Sequence, residues 1–389
     1  MDNLQRRDFL VGAGAASASF LAYGIPSAFG TEAERLIPWT DHPEPIPPAA
    51  KDAIKDQTPW EDLYESWITP KEKFFAIGHY NWPEIDPAKW QMSITGLVEK
   101  PLTLTLADLK ARPRQGTTFT IECSGNNGLP FATSLTGNAM WSGTSLMELL
   151  KEARPTPNAI EVVFFGTDQG EETLRAGTPN EFKFTGTFAR SMSLQDATNI
   201  ENMLAYEMNG EPLPPRHGAP VRLIAPGWFG IANVKWLSHI EVRDRRFVNR
   251  FMGRDYVTVR EVKRGNELEI TETSVGRQLI KSAPAQVTAQ GDRYQIKGMA
   301  WGPSPIQTVE IKIDDGPWQT VKLDEQKSRH AWRFWTFDWD NVAKGDHTIT
   351  TRATDINGTV QPTQSDPLIA GKKTYWESNG QITRKVQIS

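Results

Sequence analysis

The single cysteine of this 389-residue chain, Cys123, stands in the run Thr120-Ile121-Glu122-Cys123-Ser124-Gly125-Asn126. A strand-like stretch delivers a thiol into a turn built from Ser, Gly and Asn. A thiolate is a soft ligand suited to a redox metal. Gly125 would let another group approach closely, and Asn126 can aim an amide at it. Taken alone, the residue leaves two readings open: a small buried hydrophobe, or a ligand or nucleophile. One thiol excludes an intramolecular disulfide and any cysteine-built zinc or iron–sulfur cage, and no Cys-x-x-Cys-His is present to attach a c-type haem to this chain.

A second group of reactive side chains follows Leu204-Ala205-Tyr206-Glu207-Met208-Asn209-Gly210. It runs through His217-Gly218-Ala219-Pro220-Val221-Arg222 to Val234-Lys235-Trp236-Leu237. His217, Arg222 and Lys235 together could cradle a phosphate or another anion. Singly, each is ordinarily a surface charge or a structural histidine, and Tyr206 is ordinarily a packed aromatic. A third run, Phe74-Phe75-Ala76-Ile77-Gly78-His79, is a backbone turn that carries a histidine.

These groups need elements to hold them. Strand-like runs are predicted at Trp90–Ile94, Thr117–Glu122, Ile160–Phe165 and Val221–Ala225. Ser145 and Glu148 have capping-box spacing and open a short helix with Leu146, Leu149, Leu150 and Ala153 on one face. Leu106–Lys110 is a weaker helix candidate, stopped by Pro113. The last third changes character. Val309, Ile311 and Ile313 alternate with charged residues, Asp315-Gly316 is a hairpin dipeptide, and Ile349, Thr351 and Ala353 alternate again. That pattern predicts a β-sandwich, with a boundary within Arg254–Ala283. Residues 31–72 carry Pro43, Pro45, Pro47 and Pro48 and read as an extended arm.

The bulk composition is that of a soluble globular protein: 38% hydrophobic, 23% charged, net charge −4. No strong positive field exists to hold nucleic acid or anionic lipid. At the start, Arg6-Arg7-Asp8-Phe9-Leu10 precedes the mildly apolar Val11–Phe29 stretch, the grammar of a twin-arginine signal peptide. A short membrane anchor is the less favoured alternative, because Gly and Ala make the stretch only weakly apolar. Export to the periplasm by the twin-arginine route is expected, with cleavage near Ser27–Thr31 and no stable membrane span in the mature form.

In this order, the Cys-x-Gly-Asn, Leu-Ala-Tyr-Glu-Met-Asn-Gly and His-Gly-x-Pro-Val-Arg elements make the chain resemble the sulfite oxidase family of molybdopterin-dependent oxidoreductases, in its exported, haem-free form. The resemblance covers roughly Phe74 to the end. It implies an α+β chain: a mixed α/β molybdenum-pterin domain (73–260) after a signal (1–30) and the arm (31–72), then an immunoglobulin-like dimerisation domain (261–389). It implies a molybdenum–molybdopterin cofactor with Cys123 as the metal's protein ligand. The implied pterin contacts are Phe75, Ala76, Ile77, Gly78 and His79, with Asp168, His217, Arg222, Asn233, Val234 and Lys235. It also implies Tyr206 as a catalytic phenol near the metal.

The implied activity is oxygen-atom transfer, sulfite to sulfate first, in a homodimer that passes electrons to an external c-type cytochrome. Departures weaken the substrate assignment. Ile77 stands where the family's sulfite enzymes carry an arginine, Asn127 and Gly128 stand where basic residues are expected, and Asn379 aligns with a further basic position. Bidentate guanidinium forks are what an oxyanion pocket ordinarily uses; Arg175 or Arg190 would have to compensate. A different small oxygen-transfer substrate is therefore the second reading. An exported immunoglobulin-like binding protein is a third, which leaves the Cys123 and His217–Arg222 runs unexplained.

Overall fold

A computed structural model describes residues 33–389. The signal-like segment lies outside the described residues.

Two five-stranded sheets form the larger body. One is ordered Leu102–Thr105, Gln91–Gly96, Leu237–Arg243, Glu161–Leu174, Phe182–Ser193, with only the Gln91–Gly96 and Leu237–Arg243 pair parallel. The other is ordered Glu211–Pro212, Met203–Met208, Thr136–Ser145, Arg114–Glu122, and Arg222–Ile224 also pairs with Met203–Met208. Each predicted strand overlaps one of these elements and overruns it by no more than one residue at either end. Helix Leu146–Ala153 forms where expected: Ser145 accepts from the Glu148 amide, and Leu146, Leu149, Leu150 and Ala153 are buried. Helix Leu106–Lys110 is closed at its start by a capping box of Thr105 and Asp108.

Alternation along Met203–Tyr206, followed by a bulge between Ala205 and Glu207 that returns Met208 to the first face, separates two cores. Leu204 and Tyr206 join the large core with the Leu146–Ala153 helix. Met203, Ala205 and Met208 join a second core with Phe74, Phe75, Ile121 and Cys123. Successive side chains of a strand point to opposite faces, so one strand serves both layers.

The C-terminal part is a sandwich. One sheet runs Arg35–Ile37, Lys281–Gln290, Arg293–Trp301, Arg333–Trp339, Lys322–Leu323; the other runs Gln319–Thr320, Ile306–Ile313, Gly345–Asp355, Ile382–Ile388. Val287, Ile296 and Trp335 from the first sheet meet Val309, Ile311, Ile349 and Val386 from the second in a common core. The fold class is thus α+β, dominated by strands.

The Pro-rich arm is woven into both parts. Arg35–Ile37 is an edge strand of the sandwich, and the buried Trp39 indole donates to the Ala285 carbonyl (3.0 Å). Farther on, Ile54–Lys55 pairs with Ala76–Ile77. Between the two parts, where the sequence offers only a boundary, Val257–Arg264 and Glu267–Ser274 form a two-stranded ribbon. A division at residue 260 falls inside its first strand.

Candidate active site

Cys123 follows the strand Arg114–Glu122 and opens the turn beyond it. Its amide donates to the Leu135 carbonyl (2.9 Å), its own carbonyl accepts from the Asn126 amide (3.0 Å), and its sulfur accepts from the Gly125 amide (3.4 Å). The thiol is 8% exposed. Burial pushes it up to about 11, against the pull of the Gly125 N–H.

A cavity opens in front of the sulfur. Phe75, Ala76, Ile77, His79, Asp168, His217, Arg222, Asn233 and Lys235 line it together with Cys123. Runs as far apart in the chain as Phe75 and Lys235 therefore meet at one place. Gly78 lies on a wider mouth of about 680 Å³ that also reaches Cys123. Val234 does not face the cavity; it sits in the large core, and its carbonyl accepts from Leu223 (2.8 Å).

The charges in this cavity lack opposite partners. Arg222 is buried, donating through Nη1 to the His217 carbonyl (3.0 Å) and through Nη2 to the Asn233 carbonyl (2.9 Å); its Nε has no partner. Lys235 donates to the Ile77 carbonyl (2.9 Å) and lies over the Trp236 ring at 4.0 Å. Among the described residues, neither cation has a carboxylate within salt-bridge distance. Burial lowers Arg222 to about 9 and Lys235 well below its ordinary value. Buried cations held by carbonyls and ring faces, with no carboxylate, are costly, so this wall suits an anion. Asp168, buried with Oδ1 unpartnered, is pushed up to about 6 by burial, with Lys235 pulling the other way. His217 hydrogen-bonds the Lys71 carbonyl through Nε2 (3.1 Å) and is held neutral, its pKa lowered to about 3 by burial. Asn233 shapes the loop: its Oδ1 accepts from the Ala225 amide (2.8 Å) and its Nδ2 donates to the Phe229 carbonyl (3.1 Å).

The structure corrects the placement of Tyr206. It lines neither the cavity nor its mouth; it packs in the large core, with Lys110 over its ring at 5.7 Å. The reason is the strand's alternation: Ala205 faces the Cys123 layer and Tyr206 the opposite one. The phenol at the site is Tyr256, which lines both the cavity and its mouth and shares a 2.6 Å hydrogen bond with His79 Nε2. Burial lowers His79 to about 3, with Lys235 adding to it, while burial and the nearby Cys123 raise Tyr256 well above its ordinary value. A neutral imidazole and a protonated phenol result. Tyr256 holds φ +54°, a left-handed conformation seldom adopted by aromatic residues outside constrained sites.

Sequence reading missed Tyr256 because Arg254-Asp255-Tyr256 lies in the stretch it assigned to a boundary. It also missed Phe188, Ile231 and Trp236, whose residue types carry no chemical signal. The arginines proposed as compensating cations are elsewhere. Arg175 is exposed and lines neither space. Arg190 is buried and committed to the Phe251 and Val275 carbonyls. Asn379 donates to the Ile280 carbonyl (3.4 Å) and does not reach the cavity. At the mouth, Arg250 is paired with Asp255 (2.6 Å) and Arg254 with Glu172.

Comparisons with known proteins agree with this architecture. Residues 79–251 match the oxidoreductase molybdopterin binding domain and residues 268–380 the Mo-co oxidoreductase dimerisation domain. The class defined by fold and site is thus that of proteins binding molybdenum through a pterin. Human mitochondrial sulfite oxidase is 31% identical over 340 residues, which is 80% of this chain and 60% of that protein. Sulfite oxidase of Arabidopsis thaliana is 27% identical, over 80% of this chain and 87% of its own. A crystal structure of the sulfane dehydrogenase SoxCD from Paracoccus pantotrophus superposes with a TM-score of 0.73 at 26% identity, covering 94% of this chain and 93% of that one. The chain belongs to the sulfite oxidase family of molybdopterin-dependent oxidoreductases.

The residues present fit that cofactor. Arg222 Nε and Asp168 Oδ1 are buried, unpartnered and at the cavity: one asks for an acceptor such as a phosphate oxygen, the other for a donor such as a pterin N–H. Among the described residues no three ligating side chains cluster. A metal here would draw one soft donor, Cys123, from the protein and its remaining ligands from the cofactor.

Proposed function

We propose that this chain is an exported molybdenum enzyme that oxidises reduced sulfur, sulfite to sulfate first, and delivers the electrons to an external c-type cytochrome as a homodimer. The single observation that carries this reading is the meeting of Cys123 with the unpaired cations Arg222 and Lys235 in one cavity. When bound, the molybdenum cofactor supplies two-electron oxygen-atom transfer. The chain's own residues do the rest. Cys123 would hold the metal as thiolate, its burial-raised pKa reversed by the metal's charge. Arg222, Lys235 and neutral His217 would hold the phosphate end, and Asp168 the pterin ring. Phe75, Phe188, Ile121 and Ile231 wall the cavity with carbon and keep water from the reacting centre. Tyr256, protonated and backed by His79, can donate a hydrogen bond where negative charge develops.

A second reading has its own support. The mouth is lined largely by Ala50, Ile54, Leu129, Phe131, Tyr375 and Trp376, and its two arginines are already paired. Sulfite wants free guanidinium forks. A substrate with less exposed charge, such as a sulfane sulfur, suits this wall better. Purified protein should contain about one molybdenum per chain and reduce cytochrome c with one member of a panel of sulfite and sulfane donors. Folded protein isolated without molybdenum would return the chain to the binding-protein reading.

A further inference from the structure

Immediately before Cys123, a carboxylate is buried completely. Glu122 is 0% exposed and Lys281 2% exposed, and their side chains meet at 2.5 Å. Lys281 belongs to the sandwich strand Lys281–Gln290, and its register partner on the neighbouring strand is Trp301. The Trp301 indole donates to the other Glu122 oxygen (2.8 Å). Two residues side by side on one sheet thus both reach the residue that precedes the thiol.

The network closes on the cysteine turn itself. Asn126 Nδ2 donates to Glu122 (3.0 Å), Asn126 Oδ1 accepts from the Leu135 amide (2.9 Å), and Lys281 also donates to the Asn126 carbonyl (3.2 Å). The Asn126 amide in turn bonds the Cys123 carbonyl. Fastened at residues 122 and 126, the turn has little freedom to rotate, and the Cys123 sulfur is fixed toward the cavity.

A charge pair this deep is not explained by stability. Well-packed apolar residues of similar volume do as well or better than a buried ion pair, whereas removing one partner of such a pair costs several kcal/mol. What polar contacts add is direction, and partners that orient a metal's ligand ordinarily matter about 10–100-fold in affinity or activity. We propose that Glu122 is a positioning residue, through which Lys281 and Trp301 of the sandwich orient the Cys123 sulfur toward the molybdenum. This rests on the reading of Cys123 as the metal ligand. It makes the C-terminal sandwich part of the metal site's construction.

The test uses cofactor-loaded protein. Glu122→Gln/Lys281→Met removes both charges together, and Trp301→Phe removes one donor while keeping an aromatic ring. Molybdenum and pterin content, the EPR spectrum of partly reduced enzyme, and kcat are measured against the unmodified chain. Both variants should bind pterin, show an altered EPR line shape, and lose about tenfold or more in kcat. Lys281→Met alone, which strands a buried carboxylate, should be worse than the double variant in metal content. Loaded variants with unchanged spectra and kcat would overturn the proposal and leave the network a packing feature. If the double variant does not fold, the Trp301→Phe spectrum decides alone. A molybdenum-free unmodified chain would overturn the cofactor reading, and this proposal with it.

Discussion

At the residue scale, the proposed function assigns the chemistry to Cys123 and Tyr256 and the binding to the cations around them. Cys123→Ser should abolish turnover with the fold intact, because a hydroxyl is a harder and far less acidic donor; near-normal activity in folded, pterin-loaded Cys123→Ser would rule out ligation. Tyr256→Phe should slow turnover by about 10², the usual cost of one donor aimed at developing charge, while Tyr206→Phe should leave kcat unchanged. Steady-state kinetics of the two variants decide this directly, and the reverse ranking would restore Tyr206 to the site. Ile77 faces both the cavity and its mouth. Ile77→Arg supplies one charged hydrogen bond, about 1.5–3 kcal/mol, so kcat/KM for sulfite should rise by about 10- to 100-fold. No gain with sulfite, and a loss with sulfane donors, would favour the second substrate reading.

At the scale of elements, what the sequence made legible was whatever short-range pattern controls. The Ser145 cap, the apolar face from Leu146 to Ala153, the strand leading to Cys123 and the alternation of Ile349, Thr351 and Ala353 are local signals, and each element forms there. Most of the residues that line the cavity stand in the ordered motifs read from the sequence. What was not legible depends on which face of a strand a side chain takes. Tyr206 and Ala205 are neighbours in sequence, and only the pairing of Met203–Met208 with Thr136–Ser145 decides which of them meets the thiol. The ribbon from Val257 to Ser274 was passed over as a domain boundary although Val257/Val259 and Leu268/Ile270 alternate about the Gly265-Asn266 turn, and Tyr256 was passed over with it. The close fit of elements around the site has a direct test at Gly128, where a Cβ would collide with the Tyr375 carbonyl. Gly128→Ala should displace the 374–376 segment that walls the mouth. It should lower the melting temperature and raise KM more than Ala→Gly changes at exposed positions do; an unperturbed KM would show that this segment does not shape the mouth.

At the scale of the whole molecule, buried neutral histidines set the response to acid. His79 and His217 are both lowered to about 3, so below about pH 6.5 the unfolded chain takes up protons that the folded chain refuses. Each therefore costs about 1.4 kcal/mol of stability per pH unit as pH falls through that window. Asp168, raised to about 6, works oppositely: the folded chain keeps a proton that the unfolded chain has released, so its share of stability is lost as pH rises from about 4 to 6. With two groups against one, cofactor-free protein should lose stability on acidification from pH 6.5 to 4.5. His217→Gln should flatten that slope in urea unfolding, and an unaltered slope would remove His217 from the account. The arm has a consequence of another kind, for how the protein is made. The first described strand, Arg35–Ile37, completes a sheet whose neighbouring strand begins at Lys281, and Trp39 bridges to Val386 near the end of the chain. At a ribosomal pace of roughly 5–20 residues per second, the N-terminal arm waits about 13–50 s for its partner strand, roughly 250 residues on, to be synthesised. Biosynthesis thus leaves the arm's strand without its sheet until the sandwich strands exist to receive it.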